Sequence, residues 1–279
     1  MKTMLRTLIS LVFCFCLAFP VAGLKAADTS ESLVTGNNQF AFDLYARLAG
    51  KEGNLFLSPY SISSALSMTY AGARGNTEKE MAKVLHFNLR QDRLHPAFQT
   101  LNESINRGAG QKTYQLTVAN AIWAQKDCKF LPDFLKIARK NYDAEVENLD
   151  FAKNAEGARD TINRWVEKKT KDKIKDLIPS GILNALTRMV LTNAIYFKGN
   201  WARQFKKENT QSDTFYADGK TQIQALLMHQ QDEFDYFANE TLQVLRLPYQ
   251  GDDLSMVVLL PRKNDGLPAL EKKLTAQAV

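Results

Sequence analysis

Cysteine is scarce in this 279-residue chain: three in all, with Cys14 and Cys16 near the N-terminus. A disulfide framework of the kind that staples small secreted modules is therefore excluded. Histidine is equally sparse, at His86, His95 and His229, and no His-Glu-x-x-His spacing offers a zinc site. A Gly-x-Ser-x-Gly elbow is missing too, which removes the nucleophile of that class of hydrolase. Asp218-Gly219-Lys220-Thr221 ends like a phosphate loop, but Thr214 stands where the leading glycine is required, so a hairpin turn is the simpler reading. Charge is not biased strongly either: 36 basic against 30 acidic residues give +6, short of the footprint of a dedicated nucleic-acid binder. With 45% hydrophobic and 24% charged residues, disorder and collagen-like repetition are excluded and a sizeable core is affordable.

The apolar run Leu8 to Phe19, interrupted only by Ser10, is shorter than the roughly 20 residues a membrane-spanning helix needs. Lys2 and Arg6 precede it, Pro20 breaks it, and small residues (Ala22, Gly23, Ala26, Ala27) follow. That order describes a secretory signal peptide over residues 1–27, with cleavage after Gly23 or Ala27, and leaves residues 28–279, a length that suggests one or two domains. Removing it leaves 33 basic and 30 acidic residues and one cysteine, Cys128. The expected destination is the extracellular space, or the periplasm of a Gram-negative host.

The remaining chain mixes helical and strand periods. Asn38 to Ala49 places Ala41, Leu44, Tyr45 and Leu48 on one helix face, with Gly50 as the stop. Asn54 to Leu57 reads as a short strand. After Ser58-Pro59, Ile62, Ala65, Leu66 and Thr69 line a helix so rich in serine and alanine that it belongs in the interior. Thr77 and Glu80 have capping-box spacing. From Tyr114 the period is two, with Leu116, Val118, Asn120, Ile122 and Ala124 on one face. Pro132 opens a helix to about Tyr142. A long basic helix is expected from Ala155 to about Leu177, with Ala158, Ile162 and Trp165 inward. Met189 to Phe197 has the continuous apolar character of a central strand buried on both faces. Strands follow from Thr214 to Leu260 and a last helix starts near Leu267. Helices and strands out of strict alternation indicate α+β.

Few residues offer chemistry. No nucleophile, base or metal set stands out, so catalytic residues, metal and cofactor are all read as none. Lys168, Lys169, Lys171, Lys173 and Lys175 form the densest basic run, either a solvated helix face or a site for an anionic polysaccharide or membrane surface. Asn102-Glu103-Ser104 and Asn239-Glu240-Thr241 are glycosylation sequons, relevant in a host with that machinery.

Several stretches carry a resemblance. Asn54-Leu55-Phe56-Leu57-Ser58-Pro59-Tyr60-Ser61-Ile62, with Ala65-Leu66-Ser67-Met68 and Gly72 to Thr77, resembles the opening signature of serpins. Ile162-Asn163-x-Trp165-Val166, Thr170, Lys173-Ile174 and Leu177-Ile178-Pro179 are similar to the serpin helix that crosses the main sheet. Leu191 to Trp201 (Leu-Thr-Asn-Ala-Ile-Tyr-Phe-Lys-Gly-Asn-Trp), then Phe205, Thr210 and Phe215, and Leu247-Pro248-Tyr249-x-Gly251, follow in family order.

The resemblance implies the serpin fold and suicide inhibition of a serine, or cysteine, protease. A cleaved bait loop inserts into the main β-sheet and distorts the protease bound to it. It also implies that Ser58, Ser61 and Asn193 belong to the shutter beneath the parting strands, and Trp201 to the breach where insertion begins. Gly266 to Glu271 resembles a mid-domain segment, so the bait loop, its reactive bond and the closing strands are expected after Val279. On that expectation the chain is a truncated and inactive serpin, aggregation-prone through unpaired edges, whereas the complete domain is a monomer. The alternative is a non-inhibitory serpin or remnant that binds a partner or anionic ligand. Neither nucleic acid nor a membrane anchor is expected.

Overall fold

A computed structural model describes residues 21–51, 53–110, 114–217 and 221–278. The signal-peptide features Lys2, Arg6, Leu8 to Phe19, Cys14 and Cys16 and the turn residues Asp218-Gly219 lie outside the described residues.

The first helix, α1, runs Val21–Leu48 and so begins well before the expected Asn38. No proline interrupts the ladder between Pro20 and Leu48, so the helix continues through both expected cleavage positions. Leu33 and Phe40 are its buried anchors. Helix α2, Pro59–Tyr70, starts at the N-cap Ser58, whose hydroxyl accepts from the Ser61 N–H at 3.3 Å. It packs against α1, β3 and α5, and is interior as expected. The face it buries is the serine face: Ser61, Ser63, Ser64 and Ser67 are inside, while Ile62 and Leu66 are exposed. Small hydroxyl side chains admit neighbouring backbone that leucine or isoleucine would hold off. Residues 54–57 pair with nothing in the sheets, and Phe56 is fully exposed, so the expected strand there does not form.

Helix α3 spans Gly75–Val84. It starts ahead of Thr77, which places Thr77 inside the first turn. The expected capping box is absent, and Glu80 instead accepts from Asn76 Nδ2 at 2.7 Å. Helix α4, Gln91–Gly110, has no counterpart among the expected elements, although Leu94, Phe98 and Leu101 carry helical spacing and the first two are buried. Strand β1, Tyr114–Gln125, and helix α5, Pro132–Tyr142, match their periodicities. Asp143 closes α5 in the left-handed region (φ 51°).

Strand β2 is Glu145–Leu149, helix α6 is Ala155–Lys169 and strand β3 is Met189–Gly199. The expected basic helix thus ends early. Thr170 turns its hydroxyl back onto Val166 O at 2.8 Å and accepts from the Ile174 N–H at 3.1 Å. Lys171 and Asp172 then adopt positive φ (51° and 59°), which stops the ladder. Strands β4 (Gln211–Tyr216) and β5 (Gln222–Leu227) form a hairpin. Strands β6 (Asp235–Ala238), β7 (Leu242–Pro248) and β8 (Ser255–Pro261) form a separate antiparallel sheet, and α7 (Leu267–Glu271) follows.

The main sheet has the order β2–β1–β3, parallel between β2 and β1 and antiparallel between β1 and β3. It is β1, not β3, that occupies the centre. The second edge of β3 pairs with no strand among the described residues, and most of its residues are only half-buried. The alternation of β1 divides the core. Ile122 faces the helical layer of α1, α2, α4 and α5, whereas Ala121 and Trp123 face α6 and pack with Phe151, Ala158, Ile162 and Leu183. At roughly 25 cal/mol per Å², buried side chains as large as Trp123, Phe98 and Phe151 are the main stabilising contribution.

Candidate functional site

Where β1, β3 and the helical layer meet, polar groups form a connected line inside an apolar setting. Asn120 and Asn193 are directly opposite in the β1–β3 register. Asn193 Nδ2 donates to Asn120 Oδ1 at 2.7 Å, and Asn120 Nδ2 donates to the main-chain carbonyl of Tyr142 at 2.9 Å. The Tyr142 hydroxyl in turn lies 2.6 Å from His95 Nδ1 on α4. Burial lowers the His95 pKa to about 4, with a smaller contribution from the Arg74 charge, and burial raises the Tyr142 phenol. Tyr60 on α2 is raised by burial as well, and its hydroxyl donates to Asn102 Oδ1.

The structure places Ser61 inside α2, with its hydroxyl buried and, like those of Ser63 and Ser64, without a hydrogen-bond partner among the described residues. Ser58 caps the same helix. Helix α2 packs on β3, so Ser61 and Asn193 belong to touching elements, yet no hydrogen bond joins Ser58 or Ser61 to Asn193 among the described residues. Instead, the partner of Asn193 is Asn120. That residue was signalled by an amide standing alone on the apolar face Leu116, Val118, Ile122. Tyr142 contributes through its backbone carbonyl, for which the sequence holds no signal.

Trp201 lies just past β3, in an isolated bridge to Tyr249 at the end of β7. Its ring stacks on Tyr249 (centroids 4.6 Å, interplanar 12°), and Phe197 meets Tyr249 edge-on at 4.9 Å. Backbone bonds Ala202 N–H to Pro248 O (3.0 Å) and Gln250 N–H to Asn200 O (2.8 Å) tie the same ends together. Gly199 makes this approach feasible: a Cβ there would lie 2.8 Å from the Tyr249 ring. Trp201 therefore joins the end of the main sheet to the β6–β8 sheet, away from the Asn120–Asn193 pair.

The five lysines do not share one helix face. Lys168 and Lys169 are the last residues of α6, while Lys171, Lys173 and Lys175 lie in the turns beyond it. Lys169 Nζ pairs with Glu145 Oε1 at 2.6 Å and sits over the Trp165 ring, whose Nε1 donates to Glu145 Oε2 at 2.7 Å. The Lys169 hydrogen bond is the main reason the Glu145 carboxyl is held below its ordinary value. Lys171 Nζ donates to Gln115 Oε1 at 2.5 Å and covers the Tyr196 ring. Lys168, Lys173 and Lys175 remain exposed. Among the described residues no group of three or more His, Cys, Asp or Glu could hold a metal ion, and no helix is long and apolar enough to cross a membrane. Cys128 is a free, half-buried thiol.

A family sequence model described as serpin (serine protease inhibitor) matches residues 35–279. The chain is 43% identical over 256 residues to the leukocyte elastase inhibitor of Homo sapiens, covering 88% of this chain and 66% of that protein. Among solved structures, emu (Dromaius novaehollandiae) ovalbumin superposes with a TM-score of 0.83 at 32% identity, covering 88% of this chain and 68% of that one. Cleaved kallistatin complexed with heparin gives a TM-score of 0.82 at 30% identity, over 89% and 73% of the respective chains. The chain thus spans about two thirds of the length of the curated relatives it matches. With its sheet order, its buried serine helix and these matches taken together, the chain belongs to the serpin family.

Proposed function

We propose that this chain is the larger part of an exported suicide inhibitor of a serine endopeptidase. The observation that carries the proposal is the second edge of β3, an 11-residue strand with no described partner on that side. A strand added there gains a new backbone ladder, with small hydroxyl side chains of α2 packed beneath β3. In this reading the three-stranded sheet shifts over α2 as the strand enters. Ser61 on α2 sits beneath the moving strands, Asn193 travels with β3 and exchanges partners from the sheet side, Ser58 fixes the start of α2, and Trp201 marks the end where entry begins. Hydroxyl and amide groups suit that role because they exchange hydrogen-bond partners without losing them. The export signal occupies residues 1–27.

The bait loop and its reactive bond belong, in this proposal, to sequence after Val279, and the 279-residue chain alone is inactive. Incubation with a panel of serine proteases, elastase included, tests both parts. The expected result is no SDS-stable adduct from residues 28–279 and such an adduct from a chain extended through the reading frame. An adduct from the short chain overturns the inactivity, and none from the extended chain overturns inhibition.

A second reading, a basic surface for an anionic polysaccharide, draws on Lys168, Lys173 and Lys175, which are exposed beside the engaged Lys169 and Lys171. Neutralising the three exposed lysines is then expected to abolish salt-sensitive retention on immobilised heparin. Unchanged retention sinks this reading.

A further inference from the structure

His95 is a buried titratable group that the proposed inhibitory mechanism does not use. It lies in the second turn of α4, is 2% exposed, and has Tyr142 edge-on at 5.7 Å and Tyr70 of α2 at 6.3 Å between centroids. Its Nδ1 is occupied by the Tyr142 hydroxyl, while its Nε2 is buried without a partner among the described residues. Among the described residues no carboxylate is placed to balance a charge on this ring. Asp43 of α1 pairs with His86, Asp92 at the start of α4 pairs with Arg90, and Glu78 of α3 acts on Tyr70. The charged group whose field reaches the imidazole is Arg74, which repels a proton there.

The residue that His95 holds is also the one that holds the sheet. Tyr142 ends α5, and its carbonyl takes the amide of Asn120; the other end of that amide takes Asn193. One line of contacts therefore runs from α4 through α5 into the two longest strands of the main sheet. We propose that His95 is a titratable positioning residue: in its neutral form it fixes Tyr142, and through Tyr142 anchors β1 and β3 to the helical layer, and in its charged form it releases that anchor.

The direction follows from burial. Desolvation holds the imidazole at about 4, against an ordinary value of 6.5. The state in which α4 lifts away and hydrates the ring therefore binds the proton more tightly, and gains population as pH falls between those values. The chain is accordingly most firmly anchored above pH 6.5. The relevance of this to strand insertion rests on the proposed sheet movement, but the release itself is measurable without a protease.

Hydrogen exchange of the full chain at pH 7.0 and 4.5, corrected for intrinsic exchange rates, is the test. Protection of residues 117–122 and 190–195 is expected to fall by roughly tenfold or more at the lower pH in the wild type. Protection in the β7–β8 hairpin is expected to change less than threefold. His95→Phe, which removes the titrating group and keeps a planar ring, should flatten the pH response of β1 and β3. His95→Gln serves the same purpose with a polar side chain should the phenylalanine variant not fold. A pH response in β1 and β3 that persists unchanged in a folded variant overturns the proposal. So does a loss confined to α4, or one shared equally by β7–β8.

Discussion

Replacing Asn120 with alanine is a demanding test of how the main sheet is held. The amide is 2% exposed and makes two directional bonds, one to the Tyr142 carbonyl and one from Asn193. Removing it strips a buried carbonyl of a donor and a half-buried amide of its acceptor, each costing about 1–3 kcal/mol when no replacement partner is at hand. The expected loss is about 2–4 kcal/mol. Asn193→Ala removes one of the two bonds and leaves Asn120 attached to Tyr142, so about 1–2 kcal/mol is expected. Because the two residues share a bond, the double variant should lose less than the sum of the singles by about 1 kcal/mol. Urea unfolding followed by tryptophan fluorescence reads this directly, since Trp123 is buried in β1. With a slope of about 2 kcal/mol per M, the Asn120 midpoint should move by about 1–2 M. Strict additivity at constant slope, or a loss below about 0.5 kcal/mol for Asn120→Ala, refutes the reasoning.

Other outcomes follow from the packing and the charges. Ile162→Ala, in a fully buried position against β1, should cost about 2–5 kcal/mol by the same unfolding measurement. The Glu145 carboxyl, followed by NMR, should titrate below its ordinary value and rise towards it in Lys169→Ala. The Lys169–Glu145 contribution is present above the ordinary carboxylate range and is lost as pH falls through the depressed folded value. Gly199→Ala should force the Tyr249 ring to shift, at about 1–3 kcal/mol, and alter the near-ultraviolet circular dichroism of the Trp201–Tyr249 stack.

How much of this was legible beforehand depended on whether a residue's role is local. Pro132 is readable as a helix start and β1 as a strand, because each depends on neighbours within a few positions. The boundary of α6 was not, because Thr170 competes for backbone groups with a hydroxyl that looks neutral in a basic run. The serine-rich composition of α2 does announce an interior helix, and the closeness of surrounding elements selects the serines for its inward face while Ile62 and Leu66 stay exposed. Asn193 stood in a recognisable motif. Its partner Asn120, and the Tyr142 and His95 that complete the line, are assembled from elements far apart in sequence, and only the asparagine left a trace, as a polar residue on an apolar face.

The placement of β1 between β2 and β3 also sets an order of events during synthesis. Residues 126–188 separate Gln125 at the end of β1 from Met189 at the start of β3. A ribosome adding about 5–20 residues per second needs roughly 3–13 s to deliver that stretch. Strand β2 arrives much sooner, already connected to β1 through α5, so the parallel pair can close while the antiparallel partner is still being made. Asn120 and Tyr142 are both available at that stage. The Asn120–Tyr142 contact thus has both of its partners in hand before Asn193, the last member of the line, has been made.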